Sequence, residues 1–313
     1  MNAPANSLNC LLCSGKLLKN SAQLNGLEIR ALWRGCNKEF PPEALVGISE
    51  NSNIILWQCA GCGFEFFDPS LAGNSLFYQC LESSEYYSSN RPEFQRTTQL
   101  AVKKRLTNVL DVGCGAGDFL DLARSAGLRT FGLELNPTAA EKARAKGHEV
   151  FDRLLDKVPA DACPGGFDLI TLFQVLEHVP DPVGVIKQAA EHLKVGGYIA
   201  IAVPSKSGIY RFLPWDPAQW PPHHISRWRL KDFKTLAETT KLRLTRSGGD
   251  MLLGSAIEQT INFRRQQAAA YGRYTHIVNG SWPAWVSWIY RKAGLKFIAP
   301  RWGSSIFAYF QKV

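Results

Sequence analysis

Residues 109–118, VLDVGCGAGD, place a short buried-strand pattern directly before three glycines at alternate positions. A helical pattern begins immediately afterwards, at about Phe119. Glycines in such a turn let the backbone bend sharply and approach a ligand closely, where a side chain would clash. The stretch therefore predicts a strand, a ligand-binding turn and the start of a helix.

Strand and helix patterns alternate from this stretch onward. Strand-length apolar runs separated by helices are typical of a mainly parallel sheet with helices on both faces. We expect an α/β, Rossmann-like fold with a seven-stranded sheet. The predicted strands are 109–112, 130–135, 148–151, 167–173, 198–203, 242–246 and 304–311, and the predicted helices between them are 119–126, 137–146, 183–193 and 230–240.

An acidic residue stands where a bound nucleotide would need one. Glu134 lies 21 residues beyond Gly113, at the end of the second predicted strand. A carboxylate there can accept hydrogen bonds from both ribose hydroxyls. Alternate glycines behind Asp111 differ from the G-x-G-x-x-G spacing of dinucleotide enzymes and favour S-adenosylmethionine (SAM) over NAD. A tight turn without a ligand is the other alternative.

Four ordered segments resemble the motifs of class I SAM-dependent methyltransferases, namely 109–119, 131–134, 167–179 and 193–197. The resemblance implies a glycine loop that passes the methionine part of SAM, formed by Asp111, Gly113, Gly115 and Gly117.

The resemblance also implies roles for residues after the later strands. Glu134 is expected to hold the ribose, and Phe173 and Gln174 to line the methyl-transfer pocket. Asp152, after the third strand, is the candidate for the adenine contact. Quinone-pathway O-methyltransferases that share the Leu-Glu-His segment can carry a Glu at the position of Gln174, where it helps to bind a divalent cation. Because a neutral amide is a poorer ligand for a hard cation, we expect no catalytic Mg²⁺.

Two C-x-x-C pairs precede the methyltransferase-like region. They consist of Cys10 with Cys13 and Cys59 with Cys62. Each turn can point two thiolates at one ion, and two turns complete a tetrahedral site that suits structural Zn²⁺. A redox dithiol and coincidental buried cysteines are the alternatives. We expect this segment to have a core separate from that of the SAM domain.

The whole layout is similar to a bacterial subgroup of sugar and glycan C- and O-methyltransferases with an N-terminal zinc-ribbon-like segment. The similarity rests on the cysteine pairs, residues 64–69, Tyr86-Tyr87 and the Pro-Pro-His-His segment. It implies a nucleotide-linked sugar or glycan intermediate as methyl acceptor. The predicted domains are a zinc-ribbon-like segment at 1–69, a helical and aromatic linker at 70–105, and a SAM domain at 106–313 with a helical insertion at about 255–298.

Histidine suits the proton removal that methyl transfer to an acceptor requires, because its pKa lies near neutrality. His224 is the first candidate for this base, since the resemblance places it in the subgroup's Pro-Pro-x-His segment. His178 and His223 follow, and histidines that merely cap or pack remain an alternative. Trp215, Trp220 and Trp228 suit an acceptor wall or a core equally well.

Composition and charge limit the partners. The net charge is +9, and residues 255–313 carry eight basic side chains against one acidic side chain. This basic segment with Trp282, Trp285 and Trp288 suggests a membrane-surface contact, a partner, or an ordinary packed helix face. An RNA methyltransferase and a non-catalytic SAM-binding scaffold are the competing functions, although a nucleic-acid partner is disfavoured because no aromatic-basic RNA signature occurs. No run approaches the ~20 apolar residues of a membrane span and no signal-peptide pattern occurs, so we expect a cytoplasmic protein.

Overall fold

The computed structural model describes residues 8–16, 18–81, 91–159, 162–213, 215–250, 252–253, 297–299 and 303–313. Its helices are α1 (Gly26–Arg34), α2 (Ser75–Leu81), α3 (Pro92–Lys104), α4 (Asp118–Ser125), α5 (Pro137–Ala145), α6 (Pro182–His192) and α7 (Asp232–Thr240). Its strands are β1 (Leu18–Asn25), β2 (Asn53–Cys59), β3 (Glu65–Phe66), β4 (Asn108–Val112), β5 (Arg129–Leu133), β6 (Glu149–Phe151), β7 (Phe167–Phe173), β8 (Leu193–Pro204), β9 (Ser226–Arg227), β10 (Arg243–Gly249), β11 (Leu252–Leu253), β12 (Phe297–Ala299) and β13 (Ser305–Gln311).

In the described part of the chain, the larger sheet has seven strands in the order β10-β13-β8-β7-β4-β5-β6. The pairs from β8 through β6 are parallel, and β13 runs antiparallel to both of its neighbours. This arrangement confirms the predicted mainly parallel, Rossmann-like sheet.

Alternate residues of the central strands enter two different cores. Val109 of β4 and Leu169 of β7 pack in one cluster with residues of α3 and α4. Their chain neighbours Leu110 and Ile170 belong to a second cluster, which includes residues of α6 and α7. Because successive side chains of a strand point to opposite faces, both faces of the sheet are buried under helices.

The N-terminal segment forms a second sheet that is completed by the far half of the chain. Its order is β1-β2-β3-β9, and β9 comes from the loop that follows β8. Cys10, Cys59 and Phe66 share one buried cluster with Leu110 and Trp228. The expectation of a separate N-terminal core is therefore wrong, because the cysteine-bearing segment packs directly on the larger domain.

One edge of the large sheet gathers the predicted site residues. The carboxyl ends of parallel strands meet at the same edge, where α/β proteins bind ligands. The glycine loop follows β4, Glu134 follows β5 and Gln174 follows β7. The loop before β9 reaches the same edge, since Ile225 N donates to the carbonyl oxygen of Glu177 at 2.7 Å.

Several sequence predictions fall outside the described residues. They concern Tyr86-Tyr87, the Trp282–Trp288 stripe and most of the predicted insertion at 255–298. At the margins of that insertion β11 and β12 pair as short antiparallel strands. In the described ranges, none of the helices combines the length and the hydropathy of a bilayer-spanning segment.

Candidate active site

The glycine loop adopts a backbone that other residues rarely enter. Gly113, Gly115 and Gly117 have φ angles of +73°, +54° and +83°. A Cβ atom at position 113 would also lie 2.9 Å from Cγ2 of Val175. Both observations explain why the turn between β4 and α4 requires glycine.

Glu134 holds this loop against the end of β5. Its Oε2 accepts a hydrogen bond from Gly115 N, and its Oε1 accepts one from Asn136 N, both at 2.8 Å. Gly113 N and Cys114 N donate to the carbonyl oxygen of Leu133 at 2.8 and 3.0 Å. The carboxylate is thus fixed beside the glycine loop, as a ribose-binding role would require.

Asp111 is a buried carboxyl at the end of β4, with 3% of its surface exposed. Its Oδ1 accepts a hydrogen bond from Thr171 Oγ1 at 2.5 Å. Burial raises the pKa of Asp111 to about 7, the Thr171 hydrogen bond opposes that rise, and the charge of Glu134 adds to it.

A cavity of about 930 Å³ extends from the glycine loop across the sheet edge. Asp111, Gly113, Gly115, Glu134, Phe173 and Gln174 all line it. Gly117 and Asp152 do not line it, and Asp152 is exposed, whereas the adjacent Arg153 and Leu154 do contribute to the wall. A Cβ atom at Gly117 would lie 3.0 Å from the His148 ring, which suggests that this glycine serves packing.

Gln174 has a left-handed backbone conformation with a φ of +59°. Its Nε2 donates to Ser305 Oγ at 3.0 Å and to Glu93 Oε1 at 3.4 Å, and its backbone N donates to the carbonyl oxygen of Ala202 at 2.7 Å. The amide therefore bridges two polar side chains at the cavity wall, a task for which its donor group is needed.

Three histidines come together in the wall of the same cavity. The ring centroids lie 4.6 Å apart for His178 and His223, 4.9 Å apart for His178 and His224, and 4.5 Å apart for His223 and His224. All three line the cavity, so the structure unites the three residues that the sequence singled out as candidate bases. The other described histidines, His148 and His192, lie elsewhere, and His148 is bonded to Asp121 and Thr130.

Burial changes the chemistry of these rings. It lowers the pKa of His178 to about 4 and that of His223 to about 3, and the neighbouring His178 lowers the latter further. Burial also lowers the pKa of His224 well below its usual value, and the other two histidines and Arg227 contribute to that decrease. Neutral imidazoles are thus expected at pH 7.

The four predicted zinc ligands also meet in space. The sulfur atoms lie 3.7 Å apart for Cys10 and Cys62 and 3.6 Å apart for Cys13 and Cys59. A tetrahedral site with Zn–S bonds of about 2.3 Å has sulfur atoms separated by about 3.8 Å. Leu12 N also donates to Cys10 Sγ at 3.4 Å, which would support a thiolate. The donor set and spacing fit Zn²⁺.

Comparisons with known proteins agree with this geometry. A family profile described as a methyltransferase domain matches residues 85–247, more than half of the 313 residues. The chain belongs to this family. It contains a class I SAM-dependent methyltransferase domain.

Among curated relatives are two ubiquinone biosynthesis O-methyltransferases. The protein from Methylococcus capsulatus is 35% identical over 118 residues, which cover 36% of this chain and 48% of that relative. The protein from Thiobacillus denitrificans is 35% identical over 96 residues, which cover 29% and 41% respectively. The chain thus spans less than half the length of these curated relatives.

A solved structure of a SAM-dependent methyltransferase from Archaeoglobus fulgidus shares the fold. It superposes with a TM-score of 0.51 at 16% identity, over 75% of this chain and 100% of that chain.

Some cavity residues of the methyltransferase were not singled out from the sequence. Glu177 is 1% exposed, and in the described structure neither of its carboxylate oxygens has a hydrogen-bond partner. Burial raises its pKa to about 8. Tyr78, Arg91 and Tyr210 also line the cavity. Glu177 belongs to the Leu-Glu-His segment, so the sequence indicated that it lies close to the site. Its burial without hydrogen bonds depends on how the surrounding loops pack, which the sequence did not show.

Trp215, Trp220 and Trp228 do not line the cavity of the methyltransferase. Trp220 and Trp228 are almost fully buried in the two main cores, and Trp215 stacks on Trp220 with centroids 6.0 Å apart. The core interpretation of these tryptophans therefore replaces that of an acceptor wall.

Proposed function

We propose that this methyltransferase transfers the methyl group of SAM to a hydroxyl oxygen of a small acceptor, a nucleotide-linked sugar or glycan intermediate. The observation that carries the proposal is that the glycine loop and Glu134 line the same cavity as the three histidines. The cofactor would bind at the glycine loop, the acceptor end of the cavity would lie at the histidines, and the two would meet near Gln174. The alternative is transfer of the methyl group to a carbon atom of the same class of acceptor.

The lining of the acceptor end supports a hydroxylated ligand. Tyr78, Tyr210 and Gln219 offer aromatic faces and hydrogen-bonding groups there, and Arg91 adds a cation. Pockets that recognise small molecules combine apolar walls with a few convergent polar groups. A sugar ring carrying a phosphate matches this mixture.

A phenolic precursor of the ubiquinone type is the second candidate acceptor. It is favoured by the names of the similar O-methyltransferases. An apolar side chain on the acceptor would distinguish it from a sugar nucleotide.

Proton removal from the acceptor is assigned to the histidine cluster. Methyl transfer from a sulfonium is an in-line displacement, so positioning supplies much of the rate, but the hydroxyl must still lose its proton. His224 is the first candidate, followed by His178 and His223. We expect His224→Ala to bind SAM as the wild type does and to lose about 10²–10⁴-fold in turnover. Near-normal turnover of that variant would transfer the role to His178.

Structural zinc is proposed for Cys10, Cys13, Cys59 and Cys62, in line with the zinc-ribbon-like layout of the sequence. The sulfur separations of 3.6 and 3.7 Å support this assignment. A site closed by four cysteines has no open position for substrate, so its contribution would be to stability. Protein purified without chelator should contain zinc bound through these thiolates.

The reaction is tested by incubating the full chain and SAM with two panels, one of sugar nucleotides and one of dihydroxylated phenols with and without an apolar side chain. We expect mass spectrometry to show the mass gain of one methylene on a sugar nucleotide. The Glu134→Ala variant serves as the control for SAM dependence. Methylation confined to the phenols would overturn the sugar proposal and establish the second candidate.

A further inference from the structure

The histidine cluster has the composition of a metal site. His178 lies just after β7, and His223 and His224 lie in the loop before β9. Each residue offers one ring nitrogen, and these three nitrogens lie within 4.8 Å of one another. Zn–N bonds of about 2.0–2.1 Å would place the nitrogens about 3.4 Å apart, so modest side-chain rotations would bring them to one ion.

Backbone carbonyls orient two of these rings. Nδ1 of His178 lies 2.7 Å from the carbonyl oxygen of His223, and Nδ1 of His223 lies 3.1 Å from that of Ala218. A carbonyl oxygen only accepts, so each Nδ1 carries a proton and donates it. The lone pair of each ring is therefore on Nε2. Metal-bound histidines are held in the same way, with the other ring nitrogen donating to a carbonyl or carboxylate.

Glu177 supplies the second, independent observation. Its carboxyl group is 1% exposed, and neither of its oxygens has a hydrogen-bond partner within the described structure. The ring of His178 lies within ion-pair distance, with Nε2 3.7 Å from Oε1. The buried Asp111, by comparison, is satisfied by Thr171. Burying a carboxyl group without hydrogen bonds costs free energy. Proteins can offset this cost by placing the carboxylate beside a metal ion, as a ligand or as a counter-charge.

We propose that His178, His223 and His224 bind one divalent transition-metal ion at the acceptor end of the cavity, with Glu177 as an adjacent oxygen ligand or counter-charge. Imidazole ligands select borderline ions such as Zn²⁺, Co²⁺ or Ni²⁺ rather than Mg²⁺. Three histidines leave coordination positions open toward the cavity. A hydroxyl bound there would become more acidic, because a coordinated ion stabilises the conjugate base.

This inference rests on the proposed function and deepens it, because the ion rather than a free imidazole would lower the pKa of the acceptor hydroxyl. Water in the cavity would take the released proton. The oxygen would then bond to the methyl carbon as the carbon–sulfur bond of SAM breaks, and S-adenosylhomocysteine would leave. The histidine site is distinct from the four cysteines, so two equivalents of metal per chain are expected. The sulfur and nitrogen ligand sets also give Co²⁺ different absorption spectra, which allows the two sites to be observed separately in the wild type.

The test is a titration of the metal-free full chain with Co²⁺ alone and with Zn²⁺ alone, followed by metal analysis after removal of unbound ion. We expect two bound equivalents in the wild type, one with thiolate-to-cobalt bands and one without them. His178→Ala and His224→Ala should each lose the second equivalent, with affinity lowered at least about 100-fold. His192→Ala is the matched control, because this half-buried histidine at the end of α6 lies outside the cluster.

Two results would overturn the metal site. One is a single equivalent in the wild type, with thiolate bands alone. The other is a second equivalent that persists in both cluster variants while SAM calorimetry shows that they are folded. Binding of the second ion without any methylated product would support the metal site and overturn the proposed acceptor. A methylated sugar nucleotide formed without a second bound ion would support the proposed acceptor and overturn the metal site.

Discussion

The proposed contact of Glu134 with the ribose of SAM leads to a prediction that can be measured directly. Each carboxylate oxygen accepts a backbone hydrogen bond at 2.8 Å, from Gly115 N and Asn136 N. In the proposed role, the same carboxylate also accepts hydrogen bonds from the ribose hydroxyls of the cofactor. Glu134→Ala therefore removes the ribose acceptor and also releases the glycine loop from the end of β5.

The magnitude follows from the type of bond that is lost. A hydrogen bond to a charged group contributes about 1.5–3 kcal/mol, which corresponds to a roughly ten- to 150-fold change in affinity. Glu134→Gln should also weaken binding, because its NH₂ group would face one of the two backbone N–H donors. We expect the Ala variant to bind SAM at least about tenfold more weakly than the wild type.

Calorimetry with two ligands separates the ribose contact from the loop contact. The ligands are S-adenosylhomocysteine and its 2′,3′-dideoxy analogue. In the wild type the dideoxy analogue should bind about ten- to 150-fold more weakly, since it cannot donate to Glu134. In Glu134→Ala the two ligands should bind almost equally. Glu141→Ala is the matched control, because it removes the same charge from an exposed position of α5.

The reasoning would be refuted if Glu134→Ala bound S-adenosylhomocysteine within about twofold of the wild type. It would also be refuted if the variant still discriminated against the dideoxy analogue as strongly as the wild type does. In the second case the carboxylate would organise the loop without touching the ribose.

Three further predictions concern stability and the coupling between the two sheets. The folded-state pKa of Asp111 is about 7 against 3.8 in an unfolded chain, so its stabilising contribution is complete below about pH 4 and is lost as the pH rises through 7. Asp111→Asn should remove up to about 4 kcal/mol of this pH dependence; a difference in unfolding free energy between variant and wild type that stays constant from pH 4 to 8 in urea titrations would contradict it. Gly113→Ala should destabilise the fold by about 1–3 kcal/mol, because alanine resists a φ of +73° and its Cβ would meet Val175; unchanged urea denaturation would disprove this. Cys59→Ser should lower turnover at least about tenfold and leave SAM affinity within about twofold, because β2 and β3 hold β9 beside the histidines, and an equal effect of the Cys36→Ser control would argue against a specific coupling.

The sequence predicted most of the large sheet, because its strands and helices are local patterns. The boundaries of β4 and β7 agree with the predicted strands to within one residue. The fifth strand was predicted to begin at Tyr198, whereas β8 begins at Leu193. The two glycines at 196 and 197 indicated a turn before the strand, but β8 continues through them. Its pairing with β7 accommodates this by a shift in register between Phe167 and Leu169. A local rule about glycine could not anticipate pairing with a neighbouring strand.

The sheet β1-β2-β3-β9 could not be predicted from the sequence, for a different reason. β3 and β9 have two residues each, too few to show any periodicity, and they lie about 160 positions apart in the chain. Pairing of such short segments depends on the surrounding core, in which Phe64 and Trp228 pack with ring centroids 4.9 Å apart. Only tertiary contacts could reveal that the cysteine-bearing segment is joined to the histidine loop.

For the candidate site, local sequence patterns were enough to predict which residue types are present and which strand ends carry them. The alternate glycines, the acidic residue after the second strand and the cysteine pairs predict their chemistry through residue type and spacing. The role of His224 was implied by the resemblance to known methyltransferases. The tertiary fold brings His178 beside His223 and His224, buries Glu177 without a hydrogen-bond partner in the described structure, and leaves Asp152 outside the cavity. These features depend on contacts between segments that are remote in the chain. The resulting burial shifts the pKa of each titratable group and makes an unpaired charge unfavourable.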